Sequence, residues 1–403
     1  MQELKGIAYL RARLAAKQPR IKTRYQYYEM KNIARDYSRM MPSEFSWLSE
    51  CLGWCAKCVD SIADRLAFNE FKYDDYDINT IYQMNNPDIL FDSAMLGALI
   101  SSCSFIYISE AEDGFPRLQV IDGYNATGRM DPITGLLYEG YAVLERDSND
   151  MPTLEAYFAP GYTMFMPKGM KTYKVKNAAP SPLLVPILYR PDAIRPFGHS
   201  RISRACMNIM DGAIRTLKRS EVSAEFYSFP QKYVLGLEED AEFNKKAASI
   251  SSFLAFYKDS DGDKPQVGQF SQQSMAPYID QIRMFAALFA GETGLSLDDL
   301  GFPSDNPSSA EAIKASHENL RLVTRKAQKT FGTGFLNAGY LAATVRDECA
   351  YERGEMYLTT PSWEPIFEPD SSMIGAMCDG ILKLQQAMPD YITRDKIHEL
   401  TGL

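Results

Sequence analysis

The chain has 403 residues, 45% hydrophobic and 24% charged, with a formal net charge of −9. That is enough for two or three cores of ordinary soluble composition, without the run of roughly 18 apolar residues a membrane helix needs. The overall acidity excludes wholesale wrapping of nucleic acid, which requires concentrated Lys and Arg. Residues 1–40 invert that balance, with ten Lys/Arg against three Asp/Glu, but lack the apolar core of a signal peptide. Seven cysteines without regular spacing outside 51–58 make no disulfide framework and point to a reducing cytosol.

In chain order, residues 1–41 read as a helix and an irregular arm carrying the aromatic cluster RYQYYEMKN. From Ser43 to about Phe68, Trp47, Cys51, Cys55, Cys58, Ile62 and Leu66 recur at spacings of 4, 4, 3, 4 and 4, one stripe of a helix. PDILFDSAMLGALISS is a second helix. SFIYISEAEDGFPRLQVID and ATGRMDPITGLLYEGYAVLERD each read as two strands about a turn, and shorter strands fill 153–176. After the Pro-rich NAAPSPLLVP, residues Ile202, Cys206, Ile209, Ala213 and Leu217 mark an amphipathic helix that starts near Gly198 and Ser200 and runs to about Tyr227. Short strands return in QKYVLGL, SSFLAFYKD and KPQVGQF. A helix follows with Ile279, Ile282, Phe285 and Phe289 in line, then the polar loop TGLSLDDLGFPSDNPSS. A long helix runs from Ser309 towards Asp347, which Gly332, Gly334 and Gly339 are expected to weaken or kink. A strand-like MYLTTPSWEP and one or two terminal helices complete the chain. A helix that leaves an α/β block, carries a small β tip and returns is a stalk with a head.

Several activities lack their parts. A phosphate-cradling G-x4-G-K-[ST] is missing, since PKGMKTYK has the lysine but neither the leading glycine nor the Lys-Ser/Thr pair. GTGFLNAG fails the dinucleotide spacing and lies within a helix. His199, His317 and His398 are too far apart in sequence to suggest a zinc site or a triad. The carboxylates Glu238, Glu239, Asp240 and Glu242 could bind a cation but read as a solvated charge run. CLGWCAKC has the C-x3-C-x2-C spacing by which radical-SAM enzymes hold an iron–sulfur cluster, through Cys51, Cys55 and Cys58. The residue before the last cysteine is Lys57 where those enzymes usually have an aromatic, and the same spacing is one helical face. Packing as small hydrophobes is the better reading, and a cluster enzyme stays the alternative.

Separated stretches, in order, resemble the portal proteins of tailed bacteriophages, in the branch of siphophages and prophages of Gram-positive hosts. RYQYYEMKN resembles that family's N-terminal aromatic motif. WCAKCVDSIADRLAF is similar to its helix motif, with Val59, Asp60, Ala63, Arg65 and Leu66 in place. MDPITGLLYEGYAV is similar to its Asp-Pro-x-Thr-Gly strand–turn–strand. LLVPILYRPDAIRPFGHSRISRACMNIMDGAIRTL resembles the close of the wing and the first stem helix, with Pro186, Gly198, Ser200 and Asp211. TGLSLDDLGFPSDNPSSAEAIKASHENL carries Leu-Gly and then Asn-Pro-x-Ser-x-x-Ala-Ile, the most specific match.

The resemblance implies an α+β, portal-type fold: arm and α/β wing (1–190), first stem helix (191–228), clip (229–274), second stem helix (275–294), tunnel loop (295–307), long helix and return to the wing (308–370), and a short helical crown (371–403). It implies a non-enzymatic ring, commonly of twelve subunits, at one capsid vertex of the virion, without cofactor or metal and without a membrane, assembled in the host bacterial cytoplasm. Double-stranded DNA would pass through it, moved by the terminase large subunit. A head–tail adaptor and the major capsid and scaffolding proteins would be its other partners. Candidate channel residues are Ser296, Asp298, Asp299, Ser304, Asp305 and Asn306, which read equally as an interhelical connection. Arg215, Lys218 and Arg219 could touch phosphates or pair with a neighbouring subunit. Phe253, Phe256 and Tyr257 of the clip could anchor a partner or form the clip's own core. A DNA-binding protein working through the basic N-terminal arm is a third reading.

Overall fold

The computed structural model describes residues 4–34, 48–110, 114–228, 232–235, 266–269, 274–303, 317–367, 371–388 and 397. Its wide end has three layers. The middle layer is a three-stranded antiparallel sheet, β3–β2–β9, made from β2 (Cys103–Glu110), β3 (Pro116–Asp122) and β9 (Leu184–Leu188). Every residue of β2 from Cys103 to Ile108 is buried, so its sequence is apolar without alternation: both faces are covered. On one face lies α4 (Pro87–Ser101), whose Ala94 carbonyl accepts from Ser104 Oγ.

The long helix α7 (Glu318–Arg346) joins α4 there. Gly332, Gly334 and Gly339 do not break α7, which is helical throughout. A Cβ on them would come within 2.6 Å of Pro361, 2.8 Å of Ile187 and 2.3 Å of Ile78. The glycines serve close packing, which offsets their roughly 1 kcal/mol propensity cost.

The other face of β2 meets a five-stranded meander, β4 (Ala126–Met130), β5 (Leu137–Arg146), β6 (Pro152–Ala159), β7 (Tyr162–Pro167) and β8 (Tyr173–Lys176). Tyr107 packs on Phe158 at 5.3 Å, and a Cβ on Gly140 would sit 2.9 Å from Leu184. Helix α1 (Ile7–Tyr28) lays Leu10 and Leu14 on Tyr141, Val143 and Tyr157 of the meander. Its entry is fixed by Glu139, whose fully buried carboxylate accepts from the backbone N–H groups of Lys5 and Gly6 at 3.0 and 2.9 Å, from Arg129 at 3.1 Å and from Tyr157 at 3.1 Å. Burial alone would raise the Glu139 pKa; these bonds outweigh it and hold the carboxyl below its ordinary value.

Helix α2 (Trp54–Ala63) packs against α4 and the long α5 (Arg204–Ser228). It begins later than the heptad-like stripe suggests, and Cys51 lies outside it, exposed, while Cys55, Cys58, Ile62 and Leu66 are buried. Trp47 falls outside the described residues. Three elements that the sequence pattern did not announce are β1 (Phe68–Lys72), paired with β12 (Thr360–Trp363), the short α3 (Ile78–Gln83), and β9, in a stretch read as Pro-rich. Helix α5 leaves the layers, the hairpin β10 (Lys232–Leu235) with β11 (Gln266–Gln269) follows, and α6 (Ala276–Thr293) returns. Past α7, α8 (Ser371–Ala387) ends the described helices. Among the described residues, no helix is long and apolar enough to cross a membrane.

Candidate functional site

The stalk is built by matching α5 to α6. Ser203 Oγ donates to Glu292 at 2.9 Å, Gly212 faces the Phe285 ring, which a Cβ there would approach to 2.8 Å, and the Ser223 and Tyr278 hydroxyls are 2.7 Å apart. One number rises as the other falls, so the helices run antiparallel over about 20 residues, or about 30 Å. Helix α6 is rich in apolar residues, with Asp280, Gln281, Arg283 and Glu292 exposed among them. Phe285 and Phe289 turn inward, with Phe289 on Trp54 at 5.6 Å. Ile279, placed in the inward line by its spacing, is instead 59% exposed, with Met284 at 49% and Leu288 at 52%.

Three stretches far apart in sequence meet where the stalk joins the layers. Tyr28 OH donates to Asp60 on α2 at 2.9 Å, and Tyr27 OH to Asp211 on α5 at 2.8 Å, with Asn32 adding a bond to Asp211 at 3.3 Å. Burial and then the Asp60 carboxylate push Tyr28 up to about 12. Arg201, 7% exposed, donates from Nε to the Cys58 carbonyl at 3.2 Å and from Nη2 to the carbonyl of Thr293, the last residue of α6. It ties the ends of both stalk helices to α2. Sequence reasoning missed Arg201 and Glu139; Glu139 had the signal of a charged residue in an otherwise apolar stretch, and Arg201, among His199, Ser200, Ser203 and Arg204, had none.

Of the loop candidates, Ser296 and Asp299 bind each other. Ser296 N and Oγ donate to Asp299 Oδ2 at 2.9 and 2.8 Å, and Asp299 N donates to Ser296 Oγ at 3.1 Å. Burial would raise the Asp299 pKa, but these bonds and His317 lower it below its ordinary value. Asp298 is exposed at the start of a 3-10 turn, Asp298–Leu300. His317, 3.9 Å from Asp299, precedes α7, so the pair spans the two described ends of the loop. Ser304, Asp305 and Asn306 lie outside the described residues, as do Phe253, Phe256 and Tyr257, the acidic run 238–242 and His398. On α5, Arg215 and Lys218 are half-buried and Arg219 is exposed; Arg215 lies close enough to Tyr27 to act on its charge. These residues are not gathered into one reaction centre.

The cysteines form no cluster. Cys58 and Cys55 lie in the core, Cys58 Sγ donating to the Cys55 carbonyl at 3.2 Å, and Cys51 stands apart on the surface. Among the described residues, no three His, Cys, Asp or Glu side chains could share a metal ion. The cluster-enzyme alternative has no support.

Comparison with known proteins gives a consistent answer. No family model matches the chain. The portal protein of Mycobacterium phage L5 is 25% identical over 344 residues, 79% of this chain and 70% of that protein. The portal protein of Mycobacterium phage D29 is 25% identical over 347 residues, 80% and 70% of the two. Among solved structures, the neck of an empty gene transfer agent particle, computed with C6 symmetry, aligns with a TM-score of 0.49 at 14% identity, covering 87% of this chain and 90% of that one. A chain of the native gene transfer agent virion aligns with a TM-score of 0.46 at 13% identity, covering 87% and 89%. The two phage relatives bear out the portal resemblance read from the sequence.

Proposed function

We propose that this chain is the repeating subunit of a portal ring: a structural, non-enzymatic channel at one capsid vertex, through which double-stranded DNA enters during packaging and leaves on ejection. The observation that carries the ring is the outer face of α6. Burying the roughly half of Ile279, Met284 and Leu288 that stays in water is worth roughly 1 kcal/mol per side chain, and copies of the same stalk side by side would do it. Twelve is the copy number we adopt.

The chemistry suits a passage rather than a binder. A net charge of −9, multiplied around a ring, gives a polyanion few fixed partners, and each phosphate gripped would slow its movement. Asp298, exposed at the loop that follows α6, is the described residue we place facing the channel, with Ser304, Asp305 and Asn306 beyond it. Arg215, Lys218 and Arg219 either touch passing phosphates or pair with the next subunit. The tip beyond β10 and β11, with Phe253, Phe256 and Tyr257, would dock the terminase large subunit, which supplies the energy, and later the head–tail adaptor. The wide end would meet major capsid and scaffolding proteins during assembly in the host cytoplasm.

Negative-stain electron microscopy of the purified protein tests this directly. Rings with a central hole are expected from the wild type, and compact monomers from Ile279→Asp/Leu288→Asp, whose substitutions lie on an exposed surface. A wild type that stays monomeric at micromolar concentration, alone and with its capsid and scaffolding proteins, would sink the reading.

A further inference from the structure

Two surfaces of opposite charge lie outside the contacts described above. The first is a trough along α4. Two hollows of about 690 and 600 Å³ share Tyr28, Ile89, Ser93 and Leu96 and so form one continuous depression. Its floor is apolar, with Ile89 66% exposed, and Asp60, Asp64 and Asp92 stand along one half of its rim. Among the described residues, no Lys or Arg lines either hollow. Asp64 and Asp92 are exposed, and their carboxylates make no hydrogen bond or ion pair among the described residues. Asp92 is held above its ordinary value by burial and then by Asp88 and Asp64, while Asp60 feels burial, Asp64 and, in opposition, Tyr28 and Lys57. The rim is short of positive charge.

The second surface is a knob on the loop after β9. Ile194 at its tip is 89% exposed, and the exposed Arg195 follows. The loop's own carboxylate is occupied: Asp192 accepts from the N–H groups of Ile194 and Arg195 and pairs with the His199 ring at 2.6 Å. Arg20 and Arg24 of α1 stand close by. The Arg24 charge is opposed first by burial and then by Arg20 and Arg195. The knob is short of negative charge.

These surfaces cannot meet within one chain. Arg24 is bonded to the carbonyl of Ser101, at the C-terminal end of α4, whereas Asp92 lies nine residues earlier, about 14 Å away along the same rigid helix. We propose that the knob of one copy, with Ile194 on the apolar floor and Arg195 and Arg20 against the aspartates, seats in the trough of the next copy. This rests on the ring reading and deepens it. The contact is head-to-tail, which is the kind that closes rings, and its charges set orientation and suppress wrong pairings.

The test is charge reversal on the exposed residues. Asp64→Arg/Asp92→Arg alters the trough, Arg20→Glu/Arg195→Glu the knob, and both sets together swap the polarity. Each variant is first checked for wild-type circular dichroism and melting temperature. In sedimentation velocity at low salt, the concentration at which rings half-dissociate should rise at least about tenfold for either reversal. It should recover in the fully swapped chain and in a 1:1 mixture of the two reversals. Rings equally stable in all variants would overturn the proposal and leave the trough to another basic partner. Failure of the swapped chain and of the mixture to recover would also overturn it. A wild type that forms no rings at all would instead overturn the portal reading beneath it.

Discussion

Replacing Arg201 by methionine removes the side chain that hydrogen-bonds α2 to the last carbonyl of α6. Thr293 is 3% exposed, and its carbonyl is among the last four of α6, which no amide within the helix can reach. Losing the guanidinium strands it, at about 1–3 kcal/mol. The Cys58 carbonyl, which also accepts from Ser61 Oγ at 3.2 Å, loses only an extra bond, about 1 kcal/mol. Against this, methionine no longer has to desolvate a charge, which brings the expected net loss to about 2–3 kcal/mol. Trp54, packed against Phe289, reports locally by fluorescence, so urea unfolding of the subunit should show the loss. Hydrogen exchange across residues 286–293 should quicken by roughly 30- to 150-fold, the same free energy read as an opening equilibrium. Arg201→Lys, which keeps the charge but reaches one carbonyl at a time, should fall between. A methionine variant within about 0.5 kcal/mol of wild type, or unchanged exchange in α6, would refute the clamp.

Glu139→Gln should lower the melting temperature at pH 7. The sign follows from a depressed folded value: the stabilisation is complete above the unfolded glutamate value of about 4.3 and is lost as pH falls through the folded one. The gap between wild type and variant should therefore close in acid, and a gap constant from pH 7 to 3 would exclude the anchor. Gly339→Ala places a Cβ 2.3 Å from Ile78 and should destabilise by about 1–3 kcal/mol, with Ile78→Ala recovering part of it in a double-mutant cycle. Additivity within about 0.5 kcal/mol would mean the two do not touch. Cys51→Ser/Cys55→Ser/Cys58→Ser should still form rings and show the same visible spectrum as wild type, with stability lowered by hydroxyls at two buried sites. Loss of a visible band would revive the cluster.

The elements legible in the sequence are those whose signal is local. The hairpins β2–β3 and β4–β5 set strand-rich runs about turns, and α5 and α7 read as helices, and all are present. What was misread depends on distant neighbours. Gly332, Gly334 and Gly339 look like weaknesses until Pro361, Ile187 and Ile78 are set against them. β1 escaped notice because its partner β12 is nearly 300 residues away. Periodicity placed Cys51 on the stripe of Cys55 and Cys58, but period says nothing of where a helix begins, and α2 begins at Trp54. Asp60 and Asp211 were visible as motif positions, yet only the fold shows Tyr28 and Tyr27 bound to them.

The exposed face of α6 is a different kind of discrepancy. Its residues are mostly apolar, Asp280, Gln281, Arg283 and Glu292 excepted, while a single subunit leaves Ile279, Met284 and Leu288 about half exposed. Both statements hold if the environment encoded by the sequence is that of the assembly. The same reasoning covers the charges: an aspartate rim that no described Lys or Arg lines and an arginine knob whose own Asp192 is engaged by His199 would be complementary between two copies. Under the proposed function, surfaces that match each other across a rotation would specify a ring at the level of its residues.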